Sequence, residues 1–205
     1  MSPVVSVVMA VLDGERFLEQ AVQSVLDETL TDLELVVVDD GSTDATADIL
    51  ARFAARDPRV VVHRHGNRGR PLSLNRGIEL ARAPLIARLD ADDVSLPERL
   101  AGQAAFLERH EAVALAGGAV RLIDAGGHCF EQSSSPLTDA EIRRDFAYTC
   151  PFTHSAVMFR RTAFEQAGGY RALNDAEDID LWLRDASTRG RRGTVRGTRA
   201  GGRPP

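Results

Sequence analysis

Over roughly its first ninety residues the chain alternates short apolar runs with amphipathic stretches, and few architectures accommodate that alternation. Pro3 opens Val4 to Val11, apolar nearly throughout, as in a strand covered on both faces of a parallel sheet. From Glu15 to about Asp27, Phe17, Leu18, Ala21, Val22, Val25 and Leu26 recur at helical spacing and give one apolar stripe. The unit then repeats: a β-branched strand from Leu33 to Val38, a turn at Asp39-Asp40-Gly41-Ser42, and a helix from Thr43 to Arg56 that Pro58 closes. A third strand, Arg59 to His63, passes through a Gly- and Arg-rich loop into a helix from Leu72 to Arg82, and a fourth strand covers Leu85 to Leu89. This rhythm predicts an α/β fold with a mostly parallel central sheet flanked by helices, whose ligands bind beyond the carboxyl ends of the strands.

The fourth strand ends in Asp90, Asp92 and Asp93, three carboxylates within four residues. Mutual repulsion raises the pKa of crowded carboxylates unless a cation compensates, and hard divalent ions such as Mg²⁺ or Mn²⁺ prefer oxygen ligands. Such an ion takes one or two carboxylates and completes its shell with water and phosphate, so the implied ligand is a diphosphate. The same stretch also reads as a solvated acidic turn, with Ser95 capping the helix that follows. Asp39 and Asp40 fall at the same rim of the sheet, so two strands direct carboxylates to one place.

The second half has an α+β rhythm. Ser95 with Glu98, Thr138 with Glu141, and Thr162 with Glu165 each read as a capping box, the first opening a helix that runs to about His110. Apolar strands are expected at Val113 to Ile123 and at Ser155 to Phe159. Asp178 falls in or just before the first turn of a helix, where the helix terminus stabilises a carboxylate; Glu177 and Asp178 also read simply as favourable charge at a helix start.

With 205 residues, 43% of them hydrophobic, the chain suffices for one sizeable core. No apolar run approaches the ~18 residues of a membrane span, and the N-terminus lacks signal-peptide character, so a cytoplasmic protein is expected. Cys129 and Cys150 fit reduced core thiols, and the five histidines have no zinc spacing. Seven of the 25 basic residues and one of the 30 acidic ones lie in 184–205, so that tail carries +6 and residues 1–183 carry −11. An acidic body argues against nucleic acid as the principal partner.

Taken in order, Ser6-Val7-Val8-Met9, Val-Val-Val-Asp39-Asp40-Gly-Ser-Thr-Asp44, Asn75-Arg76-Gly77-Ile78, Leu89-Asp90-Ala91-Asp92-Asp93, His154 to Arg160 and Glu177-Asp178-x-Asp180-Leu181-Trp182-Leu183-Arg184 resemble the family 2 inverting glycosyltransferases of GT-A fold, over about residues 3 to 184. The resemblance implies a metal-dependent transferase that moves a sugar from a nucleotide-diphosphate sugar, UDP before dTDP or GDP, to a hydroxyl of a glycan or lipid-linked acceptor. That acceptor class implies work in the cytoplasm or at the inner face of the membrane, with peripheral membrane contact. Within the resemblance, Ala10 and Leu12 match positions contacting the nucleoside, and Asp40, more than Asp39, matches the carboxylate that accepts from the uracil ring. Arg70 lies near the place of a basic residue beside the nucleotide, Asp90 matches the residue reaching the ribose, and Asp92 matches the ligand of Mn²⁺ or Mg²⁺. Asp178 matches the general base; His154 stands where the acceptor-side strand begins and reads equally as a histidine satisfying a local hydrogen bond.

By the same resemblance, residues 1–184 form one domain, with a nucleotide-binding half at about 3–124 and an acceptor half at about 125–184. After Arg184 apolar periodicity stops, and the Arg/Gly-rich stretch 185–205 is expected to be disordered. Its composition resembles out-of-frame translation of GC-rich sequence, so a native C-terminus completing the acceptor site is expected to be missing; a basic tail for anionic lipid or nucleic acid is the alternative. A nucleotide-sugar-binding remnant without transferase activity is therefore a second expected function. A nucleotidyltransferase calls for a Lys near the first strand, and the chain has no Lys; a dinucleotide-binding fold calls for a G-x-G-x-x-G that Leu12-Asp13-Gly14-Glu15 does not supply, and a phosphohydrolase using Asp90 as nucleophile calls for a different strand end and a downstream Lys.

Overall fold

The computed structural model describes residues 2–133, 138–146, 148–173, 176–187 and 191–202, the backbone alone for 185–187 and 191–202. The first half follows the strand and helix alternation: β1 (Val5–Val11), α1 (Leu18–Leu26), β2 (Leu33–Asp39), α2 (Thr46–Arg56), β3 (Val60–Arg64), α3 (Arg70–Leu80) and β4 (Leu85–Arg88). After it come β5 (Val94–Ser95), α4 (Arg99–Arg109), β6 (Val113–Ile123), β7 (Cys129–Gln132), α5 (Asp139–Asp145), a 3₁₀ turn (His154–Ala156), β8 (Met158–Arg160), α6 (Arg161–Gln166), α7 (Glu177–Ser187) and β9 (Arg191–Gly202). Among the described residues the sheet runs β3-β2-β1-β4-β8-β6-β9-β5, with β7 beside β6.

Four strands, β3, β2, β1 and β4, are mutually parallel, as expected; β8 then pairs antiparallel with both β4 and β6. Successive side chains of a strand point to opposite faces, so β1 divides between two cores. Val5, Val7 and Met9 pack with Leu18, Val22, Leu50 and Leu107 on the α1, α2 and α4 side. Val8 packs with Leu74, Ile78, Phe159 and Trp182 on the α3, α6 and α7 side. Two polar residues facing each other across β1 and β2 are satisfied there: Ser6 Oγ donates to Glu34 Oε1, and Arg82 Nε donates to Glu34 Oε2 at 2.7 Å.

Several local expectations give way to longer-range partners. Ser95 does not cap α4: it lies in β5, where its Oγ donates to Glu28 Oε1 and accepts from Arg99 Nε at 2.9 Å. Glu28 Oε2 instead takes the Leu100 N–H at 3.2 Å, so a buried carboxylate from beyond α1 supplies the cap. The Thr138–Glu141 box forms, whereas α6 starts at Arg161 without a side-chain cap. The strand expected from Ser155 begins at Met158, because His154–Ala156 turn first. Helix α3 starts at Arg70, with Pro71 in its first turn, where the missing N–H costs nothing. Cys129, expected in the core, is exposed on β7, while Cys150 is half-buried; both are free thiols.

The tail also differs from expectation. Helix α7 continues to Ser187, and the backbone of β9 pairs parallel with β6 and antiparallel with β5 in place of the disorder expected after Arg184. A ladder is made by main-chain groups, so a segment without apolar periodicity can still pair along the eleven-residue strand β6. The tail residues 188–190 and 203–205 lie outside the described residues.

Gly77 explains part of the Asn-Arg-Gly-Ile motif: a Cβ there would stand 2.6 Å from Val8 Cγ1, so α3 rests directly on β1. Gly77→Ala gains helix propensity of about 1 kcal/mol but overpacks this contact at about 1–3 kcal/mol. The expected outcome is a lower urea midpoint at unchanged m-value; a raised midpoint would show that the contact relaxes freely.

Candidate functional site

Register places the site. Val11 pairs with Asp39 and Val8 with Arg88, so β1 and β2 end together while the chain after β4 runs on beside the end of β1. Two adjoining cavities open there. The larger, about 410 Å³, is lined by Ala10, Leu12, Arg16, Arg70, Asp90 and Asp92, among others. The smaller, about 170 Å³, shares Ala10, Leu12 and Arg70 and adds Asp40, Asn67 and Gly69. Of the residues singled out in the sequence, Ala10, Leu12, Asp40, Arg70, Asp90 and Asp92 thus converge, whereas Asp39, His154 and Asp178 line neither cavity.

The Gly-Ser-Thr-Asp stretch turns out to shape the loop after β1. Ser42 Oγ accepts from Asp13 N, Thr46 Oγ1 from Gly14 N and Asp44 Oδ2 from Glu15 N, each at 2.9 Å, and Asp13 Oδ1 accepts from Thr43 N at 2.8 Å. Asp13 is held at φ 50°, an uncommon setting outside glycine that this interlock fixes. Asp39 belongs to the same turn, its Oδ1 accepting from Ser42 N at 2.8 Å and its Oδ2 lying 3.2 Å from Arg64 Nε. Asp40 spends one lone pair of each oxygen on the next loop, accepting from Arg68 N at 2.8 Å and Gly69 N at 2.9 Å. Gly41 permits this close approach: with φ 91°, its Cβ would meet Asn67 N at 2.9 Å.

Two arginines lie buried beneath the acidic turn. Arg88 donates to the Leu89 carbonyl and to Asp90 Oδ1. Arg99 donates from one Nη1 to the carbonyls of Arg88 at 3.0 Å and Ser155 at 2.9 Å, while Ser155 Oγ accepts the Asp90 N–H at 3.0 Å. Burial works to raise the Asp90 carboxyl, but the Arg88 guanidinium outweighs it and holds Asp90 below its ordinary pKa. Asp90 therefore stays ionised, with Asp92 two residues on at the cavity wall. Among the described residues no three His, Cys, Asp or Glu side chains form a closed metal cage. An Mg²⁺-type ion, which needs only one or two carboxylates beside phosphate and water, fits this donor set.

Helix α7 approaches from the other side. Glu177, its first residue, is 1% exposed and takes Arg70 Nε on its Oε1 at 2.7 Å. Asp178 follows, accepting from Ile179 N at 2.7 Å; burial, with Glu177 adjacent, pushes its carboxyl above the usual range. His154 meets the Tyr170 hydroxyl through Nε2 at 2.8 Å and contacts the Trp182 ring edge-on. Asn75 clamps the Tyr170 main chain, its Nδ2 donating to the carbonyl at 2.8 Å and its Oδ1 accepting the N–H at 2.9 Å. Glu177, Ser155, Arg88, Arg99 and Tyr170 all escaped selection from sequence. Glu177 and Ser155 lay inside motifs that resembled the family without being given a role, and Arg88 carried a physical signal of its own, since a charge inside a fully buried strand demands a fixed partner.

The family model for Glycosyl transferase family 2 matches residues 6–168. The putative glycosyltransferase EpsE of Bacillus subtilis (strain 168) is 35% identical over 187 residues, covering 89% of this chain and 66% of EpsE. The crystal structure of S. aureus TarS 1-349 in complex with UDP-GlcNAc matches with a TM-score of 0.81 at 20% identity, over 100% of this chain and 59% of that one. The mannosyltransferase PcManGT from Pyrobaculum calidifontis, in complex with GDP-Man and Mn2+, matches with a TM-score of 0.74 at 19% identity, over 98% of this chain and 57% of that one. The chain thus spans no more than about two thirds of the length of these relatives.

Burial, joined by the charge of Arg88, pushes the His154 imidazole down to about 3, so it is neutral in the fold. In the unfolded chain it protonates near pH 6.5. The stability it contributes is therefore full above about pH 6.5 and is lost as pH falls toward 3. His154→Gln should flatten the fall in unfolding free energy between pH 6.5 and 5 by up to about 1.4 kcal/mol per pH unit. An unchanged slope in urea titrations would mean that the imidazole accepts a proton in place.

Proposed function

This chain belongs to glycosyl transferase family 2 and has the GT-A fold, and from that premise we propose that it transfers a sugar, with inversion, from a nucleotide-diphosphate sugar to a hydroxyl acceptor. One observation carries this reading: the end of β1 and the turns after β1, β2 and β4 bring Ala10, Leu12, Asp40, Asp90 and Asp92 around two adjoining cavities at the carboxyl ends of parallel strands. The smaller cavity takes the nucleoside, against Ala10, Leu12 and Asp40, whose Oδ2 accepts from Gly69 N and has a second lone pair for an imide N–H. The larger takes the diphosphate and sugar, with Arg70 between the two.

Asp92, with Asp90 beside it, would hold Mn²⁺ or Mg²⁺, which when bound supplies Lewis-acid stabilisation of the departing diphosphate. Asp90, kept ionised by Arg88, also offers an acceptor for a ribose hydroxyl. Asp178 removes the proton of the acceptor hydroxyl as that oxygen bonds to the anomeric carbon, while the bond from this carbon to the phosphate oxygen breaks on the opposite face. One displacement inverts the configuration. A carboxyl raised by burial is the better base near neutral pH, which fits Asp178 to this role. His154, neutral and fixed by Tyr170, orients the acceptor side without exchanging a proton.

UDP is the nucleotide proposed, supported by the UDP-GlcNAc complex of TarS, with GDP as the alternative in view of PcManGT. The acceptor proposed is a glycan or lipid-linked hydroxyl, reached from the cytoplasm or the inner face of the membrane. Among the described residues no helix is long and apolar enough to cross a membrane.

Calorimetric titration of UDP should show binding with Mn²⁺ that falls sharply in EDTA, and Asp92→Ala should remove the metal-dependent part. Absence of heat from UDP and GDP in both conditions would overturn the donor site. Where turnover is present, Asp178→Asn is expected to lower it by about 10²–10⁴-fold with donor affinity nearly unchanged. Binding without turnover in the parent protein would favour the nucleotide-sugar-binding function over transfer.

A further inference from the structure

The mechanism above leaves Glu177 without a task, although its position is unusual. It is 1% exposed, and its Oε2 is buried with no hydrogen-bond partner among the described residues. Oε1 is held by Arg70 at 2.7 Å, and the Arg70 side chain is 50% exposed, so this buried carboxylate relies on a cation that faces solvent. A buried carboxylate oxygen with no hydrogen-bond partner among the described residues carries a desolvation cost. Arg70 lines both cavities. A guanidinium is also the side chain best shaped to grip phosphate oxygens.

Resting on the donor site proposed above, we infer that Glu177 is a positioning residue that competes with the donor's diphosphate for Arg70. In the structure Arg70 joins the start of α3 to the start of α7. When a diphosphate takes the guanidinium, that joint opens, and the turn bearing Glu177 and Asp178 loses its tether to the nucleotide side. Donor arrival is thereby communicated to the base before the acceptor binds. A fixed clamp, in which Glu177 merely aims Arg70 at the phosphates, predicts the opposite effect of removing Glu177, so the two arrangements differ in sign.

The test is calorimetric titration of UDP with Mn²⁺, and of uridine as a probe lacking phosphate, into the parent chain, Glu177→Gln, Arg70→Ala and the double variant. Competition predicts that Glu177→Gln tightens UDP by about fivefold, the scale of a partly exposed ion pair, and leaves uridine unchanged. Arg70→Ala should weaken UDP, and in its background Glu177→Gln should have no effect. UDP binding that weakens or stays level in Glu177→Gln overturns the inference. Tightening that persists without Arg70 also overturns it, because the effect is then only the loss of a negative charge. If Glu177→Gln fails to fold, Glu177→Asp, which keeps the charge but withdraws it from Arg70, must show the same tightening. A parent chain that binds UDP while its variants fail these signs leaves the donor site standing; a parent that binds no nucleotide overturns both.

Discussion

Everything at the rim of the sheet depends on the two arginines buried under the acidic turn. A guanidinium in the interior forfeits hydration, and burial pushes Arg99 down to about 10, still charged at neutral pH. What offsets that cost is a set of fixed acceptors: Arg99 binds main-chain carbonyls from β4 and from the 3₁₀ turn, and lies 4.0 Å from Glu28. Burial raises the Glu28 carboxyl in turn, against the opposing pull of Ser95, Arg99 and the Leu100 amide. The network spans four sequence-distant segments, and their mutual geometry is that of the turn bearing Asp90 and Asp92. Arg88 Nε and Arg99 Nη2 remain without partners among the described residues, a sign that the arrangement is not tuned for stability alone.

Strand β4 is where the two halves of the molecule meet. On one side it is parallel to β1, on the other antiparallel to β8, so the ordered strand-helix units end there and a different pairing rule begins. The acidic turn leaves from this boundary strand, Ser155 reaches it from the antiparallel side, and Ala10 flanks it from the parallel side. A group placed there is accessible to partners from both halves, which suits a reaction between two substrates.

Periodicity and turn residues made the parallel half legible in the sequence, because each strand and helix there buries a stripe that its own residues display. Asp40, Asp90 and Asp92 stood out for the same reason, as carboxylates at strand ends, whereas Ala10 and Leu12 were singled out only through the resemblance to the family. What stayed hidden depends on distance. Ser95 with Glu98 fits a local capping pattern, yet a carboxylate 72 residues before Leu100 takes the role. Asp39 and Asp40 were separated only by the resemblance, which favoured Asp40; in the fold Asp39 bonds into the turn and Asp40 lines the cavity. Glu177 could be read only as helix-start charge until Arg70, 107 residues earlier, came alongside. The pairing of β9 was not legible because composition reports on side chains, whereas a ladder is made by the main chain.

The interlock between the loop after β1 and the Gly-Ser-Thr-Asp turn has a broader consequence. Its bonds end on main-chain amides at Asp13, Gly14 and Glu15, so the course of that loop does not depend on the identity of the side chains at positions 10 and 12. Leu12 is exposed at the rim of both cavities, whereas Ala10, which also lines them, packs against the core on the α3 side. The scaffold therefore separates inheritance of shape from inheritance of preference: a substitution at position 12 can reshape the rim of both cavities while the frame around it is passed on intact.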